Sequence, residues 1–370
     1  MLTLVTGYIV PFLLVLTVVV FVHEFGHYLV ARRNGVRVEV FSIGFGPELF
    51  GWTDRVGTRF KFSLIPLGGY VKMHGDEDVT SLTVAAAASD PQAFPAKSVW
   101  QRMAIVAAGP AANFLFASLV LALFFVFIGR PFTPPVVGDV MADSPAAAAG
   151  LRPGDRILAV DGAPIESFEQ LQQLVRDRPG EPLRLTVERR GERLQLTVTP
   201  ALREIETRFG TQRIGMIGVV RDGVEYRRSD PLSALLEGVV ETVRIAGATL
   251  VGVGEMLAGV RGTEELGGPI RIAQMSGEIA REGLLPAIWF TAILSINLGL
   301  INLFPIPMLD GGHLLLYTIE ALRGRPLTER SLEIAFRVGL ALVVGLMLFA
   351  TWNDLRQLNV VDFFARLLPS

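Results

Sequence analysis

The chain has 370 residues, 51% of them hydrophobic, with a mean hydropathy of +0.46, above the roughly 45–50% apolar share of soluble chains even with glycine counted. A net charge of −2 provides no basic field for nucleic acid. The absence of cysteine excludes disulfides, thiol catalysis and cysteine-held zinc, so any metal falls to Asp, Glu or the four histidines, His23, His27, His74 and His313.

The apolar excess comes in blocks, and a bilayer core takes about 20 residues of apolar helix. Met1 to Val22 is free of charge, and the predicted helix continues through His23-Glu24-Phe25-Gly26-His27 to Ala31. This run lacks the basic n-region and small-residue cleavage site of a signal peptide, so it is expected to be retained as a first span, residues 1–32. On a helix, positions i and i+4 share a face, so both imidazoles of the H-E-x-x-H pattern can reach one metal ion. Glu24 stands one residue further round, where its carboxylate can take a proton from water that the metal has activated. The competing reading is a polar cluster that binds nothing. Ionisable groups at membrane depth are costly unless paired or metal-bound, which favours the metal. Arg32 follows His23 by about 13 Å of helix at 1.5 Å per residue, which places the site below the cytoplasmic surface.

Residues 33–102 form a polar connection, and a second uncharged run at 103–129 reads as the second span. A soluble domain follows at 133–221. Ser144-Pro145 reads as an N-cap with proline at N1, and Gly150 as the stop of a short helix. Arg156–Val160 is strand-like and ends in the turn pair Asp161-Gly162. Phe168, Leu171 and Val175 recur at helical spacing. Leu183–Glu188 and Arg193–Val198 alternate around a Gly191 turn, which reads as a hairpin. The expected domain is small and β-rich, and its run Ala149–Gly162 (AGLRPGDRILAVDG) resembles the bacterial PDZ pattern.

Residues 231–282 are expected to form amphipathic helices on the outer membrane interface. Leu235 to Val260 is apolar, but Glu237, Glu241, Arg244 and Glu255 fall near one helical face. The third span is predicted at 283–322 and a fourth at 331–353. Within the third, Asn302-Leu-Phe-Pro305-Ile-Pro307-Met-Leu-Asp310-Gly311-Gly312 breaks the helix at two prolines, and non-helical backbone is tolerated at membrane depth where it lines a polar cavity. A zinc protease site needs a third protein ligand. Asp310 and His313 both qualify on chemistry, and Asp310 reads alternatively as a helix N-cap. His74 is expected in solvent without a role.

Basic residues flank the spans unevenly: Arg32, Arg33, Arg37, Lys97 and Arg102 on one side of the first two, and Arg323, Arg325 and Arg330 between the last two. Both termini and the β-rich domain are therefore expected outside, and residues 33–102 in the cytoplasm.

HEFGH in span one, NLFPIPMLDG in span three and a PDZ-like domain between spans two and three together resemble the site-2 protease family, in the regulator-of-sigma-E branch with a single PDZ domain. The resemblance covers nearly the whole chain. It implies a polytopic α-helical protein of the bacterial inner membrane, with a periplasmic PDZ domain and an active site towards the cytoplasm. It implies an intramembrane zinc metalloendopeptidase with Zn2+ on His23, His27 and Asp310 and with Glu24 as catalytic base. It further implies roles in substrate binding or transition-state contact for Asn302, Pro305 and Pro307. Gly44–Pro47 and Ile65–Met73 resemble the family's membrane-re-entrant β segment, whose edge can pair with an unwound substrate. The implied partners are the lipid bilayer and single-pass membrane proteins already trimmed by another protease, such as anti-sigma factors or signal-peptide remnants. The PDZ domain would gate or select them.

Two other classes fit less well. A metal transporter needs polar groups along several spans, and spans two and four offer almost none. A catalytically dead scaffold is expected to have lost one of His23, Glu24, His27 or Asp310, and all are present.

Overall fold

The structure, a computed structural model, describes residues 5–75, 90–207, 210–223, 225–260, 262 and 267–357. The first four residues of the predicted first span, part of the 33–102 connection and part of the 231–282 segment lie outside these. The chain divides into two units, one holding residues 1–122, 235–253 and 262–370, the other 123–234 and 254–261.

In the first unit, long uncharged runs become long helices because backbone groups in an apolar setting must be satisfied within the segment. Among the described residues, four helices are long and apolar enough to cross a membrane: Val5–Arg33, Val99–Phe127, Leu284–Asn302 and Arg330–Arg356. They correspond to α1 (Val10–Arg33, entered through a π-turn), α2 (Val99–Phe127), α7 (Leu284–Asn302) and α9 (Glu329–Gln357).

Between α1 and α2 run β1 (Val38–Thr53) and β2 (Arg59–Met73), an antiparallel pair. Both strands bend near their glycines, so the pairing makes four segments in the order 69–73, 38–43, 59–63, 48–53. Phe50 stacks on Phe62 and meets Trp52 at a tilt, and all three are exposed, as are Leu49, Leu64 and Ile65. The root of the hairpin joins a buried cluster of Ala31, Val36, Val38, Met73, Phe94, Ile105 and Val106.

The predicted third span is two helices. Pro305 and Pro307 follow the end of α7, Met308 takes a left-handed φ of 87°, and α8 (Asp310–Arg323) begins at Asp310. Proline cannot donate to the helical ladder, and a left-handed residue turns the chain.

Residues 231–282 form α5 (Pro231–Leu257) and α6 (Pro269–Glu282). The charged residues of α5 are drawn into helix contacts. Glu241 is buried and paired with Arg244, and Thr242 accepts a 3.0 Å hydrogen bond from Ser118 of α2. A methyl at Gly238 would meet the Ser118 carbonyl at 2.4 Å, so the absence of a side chain lets the two helices touch. Thr249 donates to Asn297 of α7 at 3.1 Å. Part of the polar face is thus spent on helix contacts. Asp354, buried near the end of α9, accepts from the amides of Gly268, Ile270 and Arg271 and so satisfies the N-terminus of α6.

The second unit is the β-rich domain. β3 (Arg130–Phe132) pairs with β12 (Glu225–Arg227), and β4 (Val137–Val140) with β11 (Val219–Arg221). The domain therefore runs past the predicted limits of 133 and 221, because its chain ends close on each other as a ribbon. α3 (Pro145–Ala148) is capped by Ser144, whose side chain accepts from the Ala147 amide. β5 (Arg156–Val160), β6 (Ala163–Pro164), β7 (Leu183–Arg189) and β8 (Glu192–Val198) form one sheet in the order β6-β5-β7-β8. α4 (Phe168–Arg176) is capped by Ser167 and buries Phe168, Leu171 and Val175 into a core with Ile157, Leu185 and Val187. β9 (Ala201–Thr207) and β10 (Gly210–Met216) pair separately.

Asp155, just before β5, is fully buried and accepts both guanidinium contacts of Arg189 at 2.8 Å and the Arg152 amide at 2.8 Å. Burial works to raise its pKa, but Arg189 and the Arg152 amide outweigh it and hold the carboxyl below the usual carboxylate range. A carboxyl with a depressed folded-state pKa adds stability above its unfolded value of about 3.9 and loses it as pH falls through the folded value. Thermal unfolding of excised residues 130–227 should therefore shift to lower temperature as pH drops from about 5 towards 2. Arg189→Met should destabilise the domain by about 3 kcal/mol at neutral pH and flatten that pH dependence. An unchanged acid limb in the variant would remove Asp155 as its source.

Candidate metal centre

His23 and His27 lie one turn apart on α1, both buried. His27 Nδ1 is 2.9 Å from the Ile105 carbonyl, which can only accept, so Nδ1 carries the proton and Nε2 keeps its lone pair. The two Nε2 atoms are 3.2 Å apart. Asp310, the first residue of α8, brings Oδ2 to 3.1 Å from His23 Nε2 and 3.5 Å from His27 Nε2. Tetrahedral zinc with ligand bonds of 2.0–2.1 Å separates its ligand atoms by about 3.3 Å, so the triangle has the size zinc requires. Asp310 Oδ2 is buried and receives no hydrogen bond of acceptable geometry. A carboxylate oxygen left without a donor against two imidazole nitrogens fits a cation's site.

The alternative for Asp310, a helix cap, does not hold. The N-cap of α8 is Leu309, without a side-chain cap bond. His313 is not in the cluster, and its ring packs on Phe336 at 5.3 Å and Tyr317 at 6.2 Å.

Close approach of α1 and α2 makes room for the imidazoles. Gly109 on α2 faces both rings, and a methyl there would come within 2.2 Å of His27 Nε2 and 2.9 Å of His23 Cε1. Ile105, Gly109 and Asn113 recur every four residues, so one face of α2 walls the site. Asn113 is buried with its amide 3.2 Å from His23 Nδ1. Neither Gly109 nor Asn113 was among the residues that motif spacing singled out. A lone Asn within an uncharged apolar run was the available signal.

The side chain of Glu24, next to His23 on α1, is half-buried. Gly69 stands against the same side chain, and a methyl there would lie 3.2 Å from Glu24 Cγ. Asn302 ends α7, and Pro305 and Pro307 lie on the connection to α8, Asn302 and Pro307 half-buried and Pro305 exposed. His74 is not free in solvent as expected. Its ring nitrogens lie 2.8 Å from Glu39 and 3.1 Å from Asp90, carboxylates from either side of it in sequence.

The pattern of peptidase family M50 matches residues 11–346. The chain belongs to peptidase family M50. Its relatives include the "Putative zinc metalloprotease Atu1380" of Agrobacterium fabrum, 48% identical over 95% of this chain and 97% of that protein. "Metalloprotease MmpA" of Caulobacter vibrioides is 40% identical over 97% of this chain and 98% of its own length. Among solved structures, the PDZ domain of an SdrC-like protein from Listeria innocua is 21% identical, covers 25% of this chain and 99% of its own, and has a TM-score of 0.21. As a zinc metalloprotease of family M50, the chain has in His23, His27 and Asp310 a group that can hold its metal.

Proposed function

We propose that this M50 protease hydrolyses peptide bonds within or near the transmembrane segments of single-pass membrane proteins, in the bacterial inner membrane. One observation carries the reading: the three converging ligand atoms include two from the interior of Val5–Arg33, a helix apolar enough to cross a bilayer. Ligands within such a helix favour a substrate that is itself a membrane segment.

His23, His27 and Asp310 would hold the zinc, which would supply Lewis-acid chemistry, lowering the pKa of water to about 7. Glu24 takes the proton of the attacking water and passes it to the leaving amide nitrogen, its side chain set against Gly69 of β2. Segment 69–73 is paired on one side only among the described residues, with 38–43. Its other edge can accept a substrate strand, which compensates the backbone groups freed when a substrate helix unwinds. The exposed aromatic face of the hairpin suits contact with lipid, in keeping with a re-entrant segment. Asn302 is assigned to hold the substrate backbone through its amide.

The β-rich domain is assigned as an extracytoplasmic PDZ domain that admits substrates already trimmed outside. The purified protein in vesicles, given a single-pass substrate in full-length and trimmed forms, tests both parts. Cleavage mapped inside the substrate's apolar segment supports the reading, and cleavage confined to its soluble flanks refutes it. Replacing 133–221 by a short flexible linker should leave trimmed substrate cleaved and newly admit the full-length form. Slower cleavage of the trimmed form, without gain on the other, would mean that the domain recruits substrate through its groove instead.

A further inference from the structure

Asn113 sits fully buried in α2 with its amide nitrogen 3.2 Å from His23 Nδ1, while its amide oxygen, also buried, has no hydrogen-bond partner. The two amide atoms have the same shape, and which is which follows from the partners each can find. For His23 to offer a lone pair at Nε2, the one proton of its neutral ring must sit on Nδ1 and needs an acceptor there. His27 has such an acceptor in the Ile105 carbonyl at 2.9 Å. His23 has the side chain of Asn113 in the same relation, about two turns along the same face of α2. Asn113 is in turn held in place: Ser295 of α7 donates to its backbone carbonyl at 3.0 Å, and Gly299 lets α7 approach its Cβ.

We propose that Asn113 is a positioning residue of the metal centre: its amide oxygen faces His23, accepts the Nδ1–H, and so fixes the ring and tautomer that present Nε2 to the metal. The orphaned oxygen then gains its partner, and the two imidazoles are held by equivalent acceptors from one helix.

The proposal rests on the zinc reading above, so the test measures the metal itself. The purified full-length chain is titrated with zinc against a chromophoric chelator. A parent chain that takes up no zinc, or zinc that His23→Ala does not displace, overturns the zinc reading and the proposal with it. Given a zinc site, Asn113→Leu should weaken zinc binding about 10–100-fold, the cost typical of losing a partner behind a ligating histidine. Asn113→Asp keeps the shape and presents only acceptors, so its zinc affinity should stay within about threefold of the parent. Parent-like affinity in Asn113→Leu overturns the proposal while leaving the zinc site standing. So does a tenfold or greater loss in Asn113→Asp, because it would mean that an amide N–H had faced the ring. Should Asn113→Leu fail to fold, the Asp variant decides alone.

Discussion

Glu24→Gln should abolish proteolysis, by at least about 10³-fold, while the purified protein keeps its zinc. The substitution preserves size and leaves His23, His27 and Asp310 untouched, so the ligand triangle of 3.1–3.5 Å persists. What disappears is a carboxylate that is not among the three ligands and lies in the same turn of α1 as the two histidines. An amide in its place cannot take a proton from water. Substrate should enter, stay uncut and co-purify with the variant, so metal analysis and mass spectrometry of one preparation test both halves. Turnover near the parent rate, with zinc retained, would transfer water activation to another group. Loss of zinc along with activity would recast Glu24 as a support of the metal rather than a base.

Asp310→Ala and His313→Ala should separate completely. Removing Asp310 takes away one of three protein ligands, and zinc binding should fall by more than the about 10–100-fold that loss of an outer partner produces. Proteolysis should fall with it. His313→Ala should leave zinc content at the parent level, because its ring packs on Tyr317 and Phe336 and offers no atom to the cluster. The readouts are metal content after dialysis against a weak chelator and cleavage of one membrane substrate. The opposite pattern, zinc lost with His313 and kept without Asp310, would require α8 to turn by most of a residue's rotation from the arrangement described.

By residue type and spacing, Asp310 and His313 are equivalent. They are one turn apart on one helix, both able to bind zinc, and periodicity puts them on neighbouring faces. The choice depends on the rotation of α8 about its axis, set by the two prolines and by Met308 at a φ of 87° before the helix starts. Left-handed backbone at a non-glycine residue costs roughly 1–3 kcal/mol and persists only where surrounding contacts enforce it. No local propensity announces it.

Several features were legible from the sequence alone because they depend on neighbours within one or two turns. The pairing of His23 with His27 follows from helical geometry, the four apolar helices from uncharged length, and the cap at Ser144 from a side chain that reaches its own helix N-terminus. Other features needed the folded chain. The burial of Glu241 follows only once Gly238 and Thr242 bring α5 against α2, and His74 reads as solvent-facing until Glu39 and Asp90 close on it. Gly109 and Asn113 stand some eighty residues or more from the histidines they serve, and only a lone Asn in an apolar run hints at either. The sequence by itself determined which residue types could bind a metal and which segments could lie in a membrane, since both are local properties of side chains and runs. Only the tertiary structure decided which carboxylate meets the two imidazoles and what stands behind them, because those contacts join α1, α2 and α8 across the sequence.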